Sequence, residues 1–202
     1  MDLSAKPLIH LASASPRRGE LLKQIGVSFN QFPVDITEVC RTGEVAEVFC
    51  LRLALEKARA GRARLPSSDS RPVLGSDTVV VLNEHVLGKP ADREDALAML
   101  RQLSGHTHEV YTAVALVGVD ERAESRLSVS HVTFRALDEE EIAAYWATGE
   151  PLDKAGAYGI QGFGAVFVER LEGSYSGVMG LPLFETAELL GHFGIEIFKT
   201  EE

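Results

Sequence analysis

A chain of 202 residues with 45% apolar and 25% charged side chains is long enough to bury a sizeable core, as one domain or two joined lobes. Its net charge of −10 at pH 7 argues against nucleic-acid and anionic-membrane partners, yet a small anionic ligand meets only the local field of its pocket. Cys40 and Cys50 form neither a metal-type cluster nor a disulfide framework, and neither a leader nor a membrane-length apolar run is visible, so reduced thiols in the cytoplasm are expected.

The apolar run 8–12 predicts a strand. Ser13-Ala14-Ser15-Pro16-Arg17-Arg18 follows it and opens a helical pattern through Ile25. Ser15 is placed to cap that helix, and Pro16 fits its first position, where no backbone donor is missed. Arginine in a first turn opposes the helix dipole, and a bound anion would remove the conflict. The turn therefore reads either as a phosphate cradle or as a capped helix with its arginines in water. Residues 27–36 read as extended and run into the acidic Asp35-Ile36-Thr37-Glu38. Helical spacing predicts a helix over 44–62, on which Lys57 belongs to an ordinary charged face. After a polar loop at 65–70, residues 72–82 form a nearly unbroken apolar strand interrupted by Ser76-Asp77-Thr78. A turn at Asn83-Glu84 leads to a short strand at Val86-Leu87, then to Gly88-Lys89-Pro90.

Asp92 caps a helix that runs to Leu103, with Gly105 just past its end. Residues 109–119 and 126–134 read as a hairpin around the polar stretch 120–124. A helix over 137–146 has Asp138 near its start. Residues 153–164 are glycine-rich, 163–171 read as a strand, and Leu181-Pro182 opens a last helix to Phe193. Strands alternate with helices, with one antiparallel pair inserted mid-chain, which predicts a layered α/β protein with a mixed sheet.

Asp77 is costly inside an apolar strand unless it is paired, hydrogen-bonded or bound to metal. It reads as a metal ligand or general base, or as a strand-end acid bonded to nearby backbone. Glu38 is a loop acid unless folding brings it to Asp77, where a Mg²⁺ ion could use both carboxylates. Lys89 sits in a turn held by glycine and proline, as a phosphate contact or a plain turn lysine. Gln161, inside Tyr158-Gly159-Ile160-Gln161-Gly162, can donate and accept at once and so suits the edge of a base; a ligand-free glycine connection is the alternative. His106 and His108 read as surface or strand-start residues, and Phe49 and Trp146 as packing.

Taken in order, S-x-S-P-R-R, E-K-A, G-S-D-T, G-K-P, Y-G-I-Q-G and G-L-P resemble the Maf family of nucleoside triphosphate pyrophosphatases over nearly the whole chain. The resemblance implies one domain spanning 1–202, a three-layer α/β/α fold with a mixed central sheet, and a cleft between two lobes, similar to inosine-triphosphate pyrophosphatases. It implies hydrolysis of a nucleoside triphosphate to the monophosphate and pyrophosphate with a divalent cation, Mg²⁺ or Mn²⁺. Arg17, Thr78 and Gln161 match the branch that resembles dTTP/UTP pyrophosphatases; the 7-methyl-GTP branch carries tryptophan, glutamine and glutamate there. Asp77 is then the expected proton acceptor, and Ser13, Ser15, Arg17, Arg18, Lys57 and Lys89 the expected phosphate contacts. Glu38 and Asp77 are the expected metal ligands, and a homodimer follows by analogy alone. A 7-methyl-GTP pyrophosphatase and a nucleotide-binding regulator of division without turnover are the alternatives.

Overall fold

Three long strands carry the architecture of the computed structural model, which describes residues 8–198. They are β3 (Val73–Leu82), β5 (Thr107–Val117) and β6 (Ala123–Phe134). With β1 (Ile9–Ala12), β2 (Phe29–Phe32), β4 (His85–Leu87) and β7 (Val168–Glu172) they form one mixed sheet in the order β2-β1-β3-β5-β6-β7, with β4 beside β3. β1 lies parallel to β2 and β3, whereas β3, β5, β6 and β7 run antiparallel in turn.

Side chains alternate between faces, as the two-residue strand period requires. Val79 and Val81 of β3, with Ala113 and Ala115 of β5, pack beneath α2 (Ala46–Ala63) through Leu53, Ala54 and Ala58. On the opposite face Leu74, Val114 and Leu116 meet α1 (Pro16–Gln24) and α6 (Leu183–His192). Further along that face Val80 and Leu82 meet Leu97 and Leu100 of α3 (Arg93–Leu103) and Ile142 of α4 (Glu139–Ala147). Two helical layers thus enclose the sheet, as the α/β/α expectation required.

The sheet is split on one edge of β3. β1 pairs there only as far as Leu74, through Leu11, and the pairing with antiparallel β4 starts at Val80, opposite the last residue of β4, Leu87. β5 occupies the other edge from Val73 to Val81. Among the described residues none forms a strand beside 75–79 on the split edge, and Asp77 and Thr78 sit in that gap.

Several local expectations need correction. Of the extended segment 27–36 only Phe29–Phe32 is a strand, because β1 ends opposite Phe32 and Pro33 brings no amide donor to continue a ladder. Ser15 occupies the N-cap of α1 without capping it; its amide instead donates to Ser13 Oγ. Residues 163–167 form a 3-10 turn, and the strand starts only where Val168 finds Phe134 of β6. A short helix, α5 (Tyr175–Met179), precedes the last one, capped by Ser174 and closed by Gly180 at φ +118°. The hairpin turn lies at 118–122 rather than 120–124. His108 stands at the start of β5, as one of its two readings expects, but it is buried against Tyr158 and not at the surface.

Helix α2 lies unusually close to β3. A Cβ on Gly75 would stand 2.3 Å from the Ala54 carbonyl oxygen and 2.6 Å from the Ala58 nitrogen, both rigid backbone atoms. Gly75→Ala should therefore cost roughly 1–3 kcal/mol or more in denaturant titrations, since the helix must lift off the strand; an unchanged midpoint would show that the contact yields freely.

Burial holds the His108 imidazole down at about 4, against an ordinary 6.5. The unfolded chain binds a proton in that window that the folded chain refuses. Folding stability should fall as pH drops through it, by up to about 1.4 kcal/mol per unit from this residue. His108→Gln should remove that share of the slope in urea titrations, and a slope equal to wild type would contradict it.

Candidate active site

A cavity of about 810 Å³ opens over the split edge of β3, within the size range of small-ligand sites. Its floor is an ion cluster. Lys57, on the α2 face turned to the sheet, places its ammonium 2.6 Å from Asp77 Oδ1 and 2.6 Å from Glu38 Oε1. Lys57 is only 8% exposed and Asp77 5%, so the ordinary solvated face expected for Lys57 is overturned. Helical periodicity shows which way a side chain points; it cannot show that a buried acid waits there.

The cluster sets its own protonation. Burial pushes the Asp77 carboxyl above the usual aspartate value, although the Lys57 and Arg18 charges pull the other way. Glu38 also feels burial, but the Lys57 bond and charge, with Lys89 and Arg18 behind, hold it below the usual glutamate value. Glu38 lies on segment 33–45, which has no helix or strand. Arg52 ties that segment to α2 through the Val39 carbonyl and both Glu44 oxygens.

The turn after β1 forms one wall. Ser13 Oγ accepts from the Ser15 amide and from Arg18 Nη1, and Arg18 Nε donates 2.8 Å to the Gly180 carbonyl. Gln31 of β2 closes the turn from behind, donating to the Ser13 and Ser15 carbonyls. Ser13, Ser15, Arg17 and Arg18 all line the cavity at the start of α1, where helix amides and guanidinium groups can meet an anion. Thr78 stands on the floor near Gly180, bonded to the Thr112 hydroxyl at 3.1 Å.

The facing wall combines the turn after β4 with the glycine-rich segment 153–164. Lys89 is exposed to the cavity and has no ion-pair partner among the described residues. Its turn is tied to the glycine-rich segment by the Gly156 amide, which donates to the Gly88 carbonyl. Gln161 reaches the cavity from that segment, and no hydrogen bond from its amide to another described residue is formed. Asp153 links the walls, 3.7 Å from Arg17 Nη1 and 2.7 Å from Lys154 Nζ. Sequence reasoning missed Asp153 and Lys154; their only signal was a place beside the glycine-rich stretch. All ten site residues expected from sequence line this one cavity.

Among the described residues no group of three or more His, Cys, Asp or Glu side chains is placed to hold a metal ion. Glu38 and Asp77 are the acids that converge, on the shared ammonium of Lys57.

The family described as Maf-like protein matches residues 8–193. The chain belongs to the Maf family. Among its relatives, the dTTP/UTP pyrophosphatase of Alkalilimnicola ehrlichii is 60% identical, over 97% of this chain and 98% of its own. Those of Xanthomonas campestris pv. campestris and Escherichia coli O157:H7 are each 55% identical, over 93% and 92% of this chain and 99% and 92% of their own. A solved dITP/XTP pyrophosphatase from Mycobacterium abscessus aligns with 64% of this chain and 74% of its own at TM-score 0.43 and 19% identity. Among the described residues of this Maf protein no helix is long and apolar enough to cross a membrane.

Lys57→Met would leave the Asp77 carboxylate buried beside no ammonium. The expected loss is about 3–5 kcal/mol near neutral pH. It should shrink as pH falls and Asp77 protonates, because a neutral acid needs no counter-charge. A loss independent of pH in denaturant titrations would mean that the packing of the lysine stem, not its charge, matters.

Proposed function

We propose that this Maf protein hydrolyses dTTP and UTP to the nucleoside monophosphate and pyrophosphate. One observation carries the reading: a buried aspartate of raised pKa lies on the floor of a cavity whose walls supply Arg17, Arg18 and Lys89. The relatives named dTTP/UTP pyrophosphatase support the choice of base. The free cysteines, Cys50 buried and Cys40 exposed, fit a reducing compartment such as the cytoplasm.

Lys57 bonds Asp77 through Oδ1, leaving Oδ2 to accept from a water molecule. Burial makes this carboxylate more basic than a free aspartate, which suits removal of the water proton. The water oxygen bonds to the α-phosphorus, the bond from that phosphorus to the bridging oxygen breaks, and pyrophosphate leaves with the electron pair. Arg17, Arg18, Lys89 and the amides at the start of α1 balance the charge of the leaving group. Positioning and electrostatics supply the catalysis, and no covalent intermediate is required.

Lys57 bonds one oxygen each of Glu38 and Asp77, so the second oxygen of each carboxylate would hold a Mg²⁺ or Mn²⁺ ion, whose remaining positions water and substrate phosphate would fill. When bound, the cation neutralises phosphate charge and makes the phosphorus more electrophilic. The Gln161 amide can donate to the C4 carbonyl of uracil or thymine while accepting from N3–H. Thr78 shapes the floor beside Arg18 and Gly180, on the strand that carries Asp77.

Incubation with UTP, dTTP and 7-methyl-GTP plus Mg²⁺, assayed for pyrophosphate, tests the proposal; the two pyrimidine nucleotides should be turned over far faster. Binding without release would identify a regulator instead. Asp77→Asn should lower kcat by about 10²–10⁴-fold with an unchanged circular dichroism spectrum, and near wild-type turnover would refute the base. Because the carboxylate is the active form, kcat/KM should fall with pH through a pKa above the ordinary 3.8. Gln161→Glu should weaken dTTP and UTP use without loss of the fold.

A further inference from the structure

Gln161 is carried by a loop with little regular structure, yet its neighbours on both sides are held by two side chains outside it. Glu150 opens the 3-10 turn Glu150–Asp153, one step after Gly149, which adopts φ +77°. Its Oε2 accepts from the Phe163 amide at 2.8 Å, and its Oε1 accepts from the Gly164 amide at 3.1 Å. Oε1 also accepts from the Tyr145 hydroxyl at 2.7 Å, and that hydroxyl in turn accepts from the Gly159 amide at 3.0 Å. The amides at 159, 163 and 164 are thus gathered onto one carboxylate and one phenol, and Gln161 lies at the crest between them.

The loop is moulded to these acceptors. A Cβ on Gly162 would sit 2.1 Å from Glu150 Oε2, and one on Gly164 2.7 Å from the Tyr145 hydroxyl. The support is itself firm. The Tyr145 ring is 4% exposed and meets Phe167 edge-on at 4.9 Å, while Lys154 Nζ donates to the Glu150 carbonyl at 2.7 Å. Burial pushes the Glu150 pKa up, but the bonds from Tyr145, Gly164 and Phe163 outweigh it and hold the group below the usual carboxylate value. It therefore remains an acceptor near neutral pH.

We propose that Glu150 and Tyr145 are positioning residues that fix the direction of Gln161 and so set how sharply the protein selects its base. The inference rests on the base-reading role given to Gln161 above. Neither residue lines the cavity, so each acts through the loop rather than on the substrate. A pinned crest presents the Gln161 amide to a base without ordering the loop on each binding event, which is how preorganisation raises selectivity.

Glu150→Gln keeps the size of the side chain but replaces one acceptor with a donor that faces an amide N–H. Tyr145→Phe removes the acceptor for the Gly159 amide and the hydroxyl's own bond to Glu150 Oε1, while the bonds of Glu150 to the Phe163 and Gly164 amides stay in place. Amide hydrogen exchange should quicken at Gly159, Phe163 and Gly164 in Glu150→Gln, and at Gly159 foremost in Tyr145→Phe. The preference for UTP over CTP in kcat/KM should narrow about tenfold in Glu150→Gln, the size expected when buried hydrogen bonds are lost, and less in Tyr145→Phe. Inhibition by inorganic tripolyphosphate, which probes the phosphate end alone, should stay as in wild type.

Selectivity equal to wild type, or tripolyphosphate binding weakened as much as UTP use, would overturn the proposal, the latter by revealing a general structural role. A wild-type protein that releases no pyrophosphate from any triphosphate would overturn the functional reading instead. Amide exchange would then still decide whether the two side chains hold the loop.

Discussion

One lysine ammonium between two carboxylates governs the centre of this molecule. Lys57 comes from a helix, Asp77 from a strand and Glu38 from a segment without regular structure, so three pieces of backbone converge on one charge. Neither Lys57 nor Asp77 could be buried alone, because an isolated ion loses several kcal/mol of hydration that only a bonded counter-ion offsets. The contact in turn constrains the packing. Helix α2 must lie close enough for a side chain of four methylenes to reach the strand, and Gly75 against Ala54 and Ala58 provides that approach. Arg52 does the corresponding task for Glu38 by fastening segment 33–45 to the same helix.

The split in the sheet explains why the cluster faces a cavity rather than a closed core. Had β1 continued past Ala12 alongside β3, backbone would have covered Asp77. Instead β1 turns away into the Ser13–Arg18 segment, and the chain returns to that edge only at β4. The groups that suit phosphate stand on the first half of the chain and the group that suits a base on the second. Asp153, reaching Arg17 from the far wall, and Gly156, bonded to Gly88, hold those halves in one arrangement.

Much of this was legible in the sequence where local rules dominate. The apolar run around Asp77 identified β3 because a fully enclosed strand cannot alternate, and Asp92 and Gly105 marked the ends of α3 by capping chemistry that needs no tertiary partner. Nine of the ten site residues lie in the family motifs, Glu38 being the exception, and all ten line one cavity, although none of them predicts its own contacts. What escaped depends on distant partners. Lys57 resembled a surface lysine because its counter-ions lie on other elements. Residues 163–167 looked like a strand because their apolar pattern suits one, but Glu150 holds the first two amides in a tight turn. Ser15 looked like a cap, yet the hydroxyl that organises the turn belongs to Ser13. Helix α5 is too short for periodicity to reveal.

The contrast between floor and loop also bears on how such a protein changes over generations. Lys57 and Asp77 are each committed to partners on other elements, so a substitution at either is paid for in folding as well as in chemistry. The Gln161 side chain, by contrast, is bonded to no other described residue, and the frame beneath it consists of main-chain amides that any side chain leaves in place. A mutation at that crest can therefore alter which nucleotide is favoured while the phosphate machinery persists. A duplicated gene could diverge toward a new base by few steps, without passing through an inactive or unfolded ancestor.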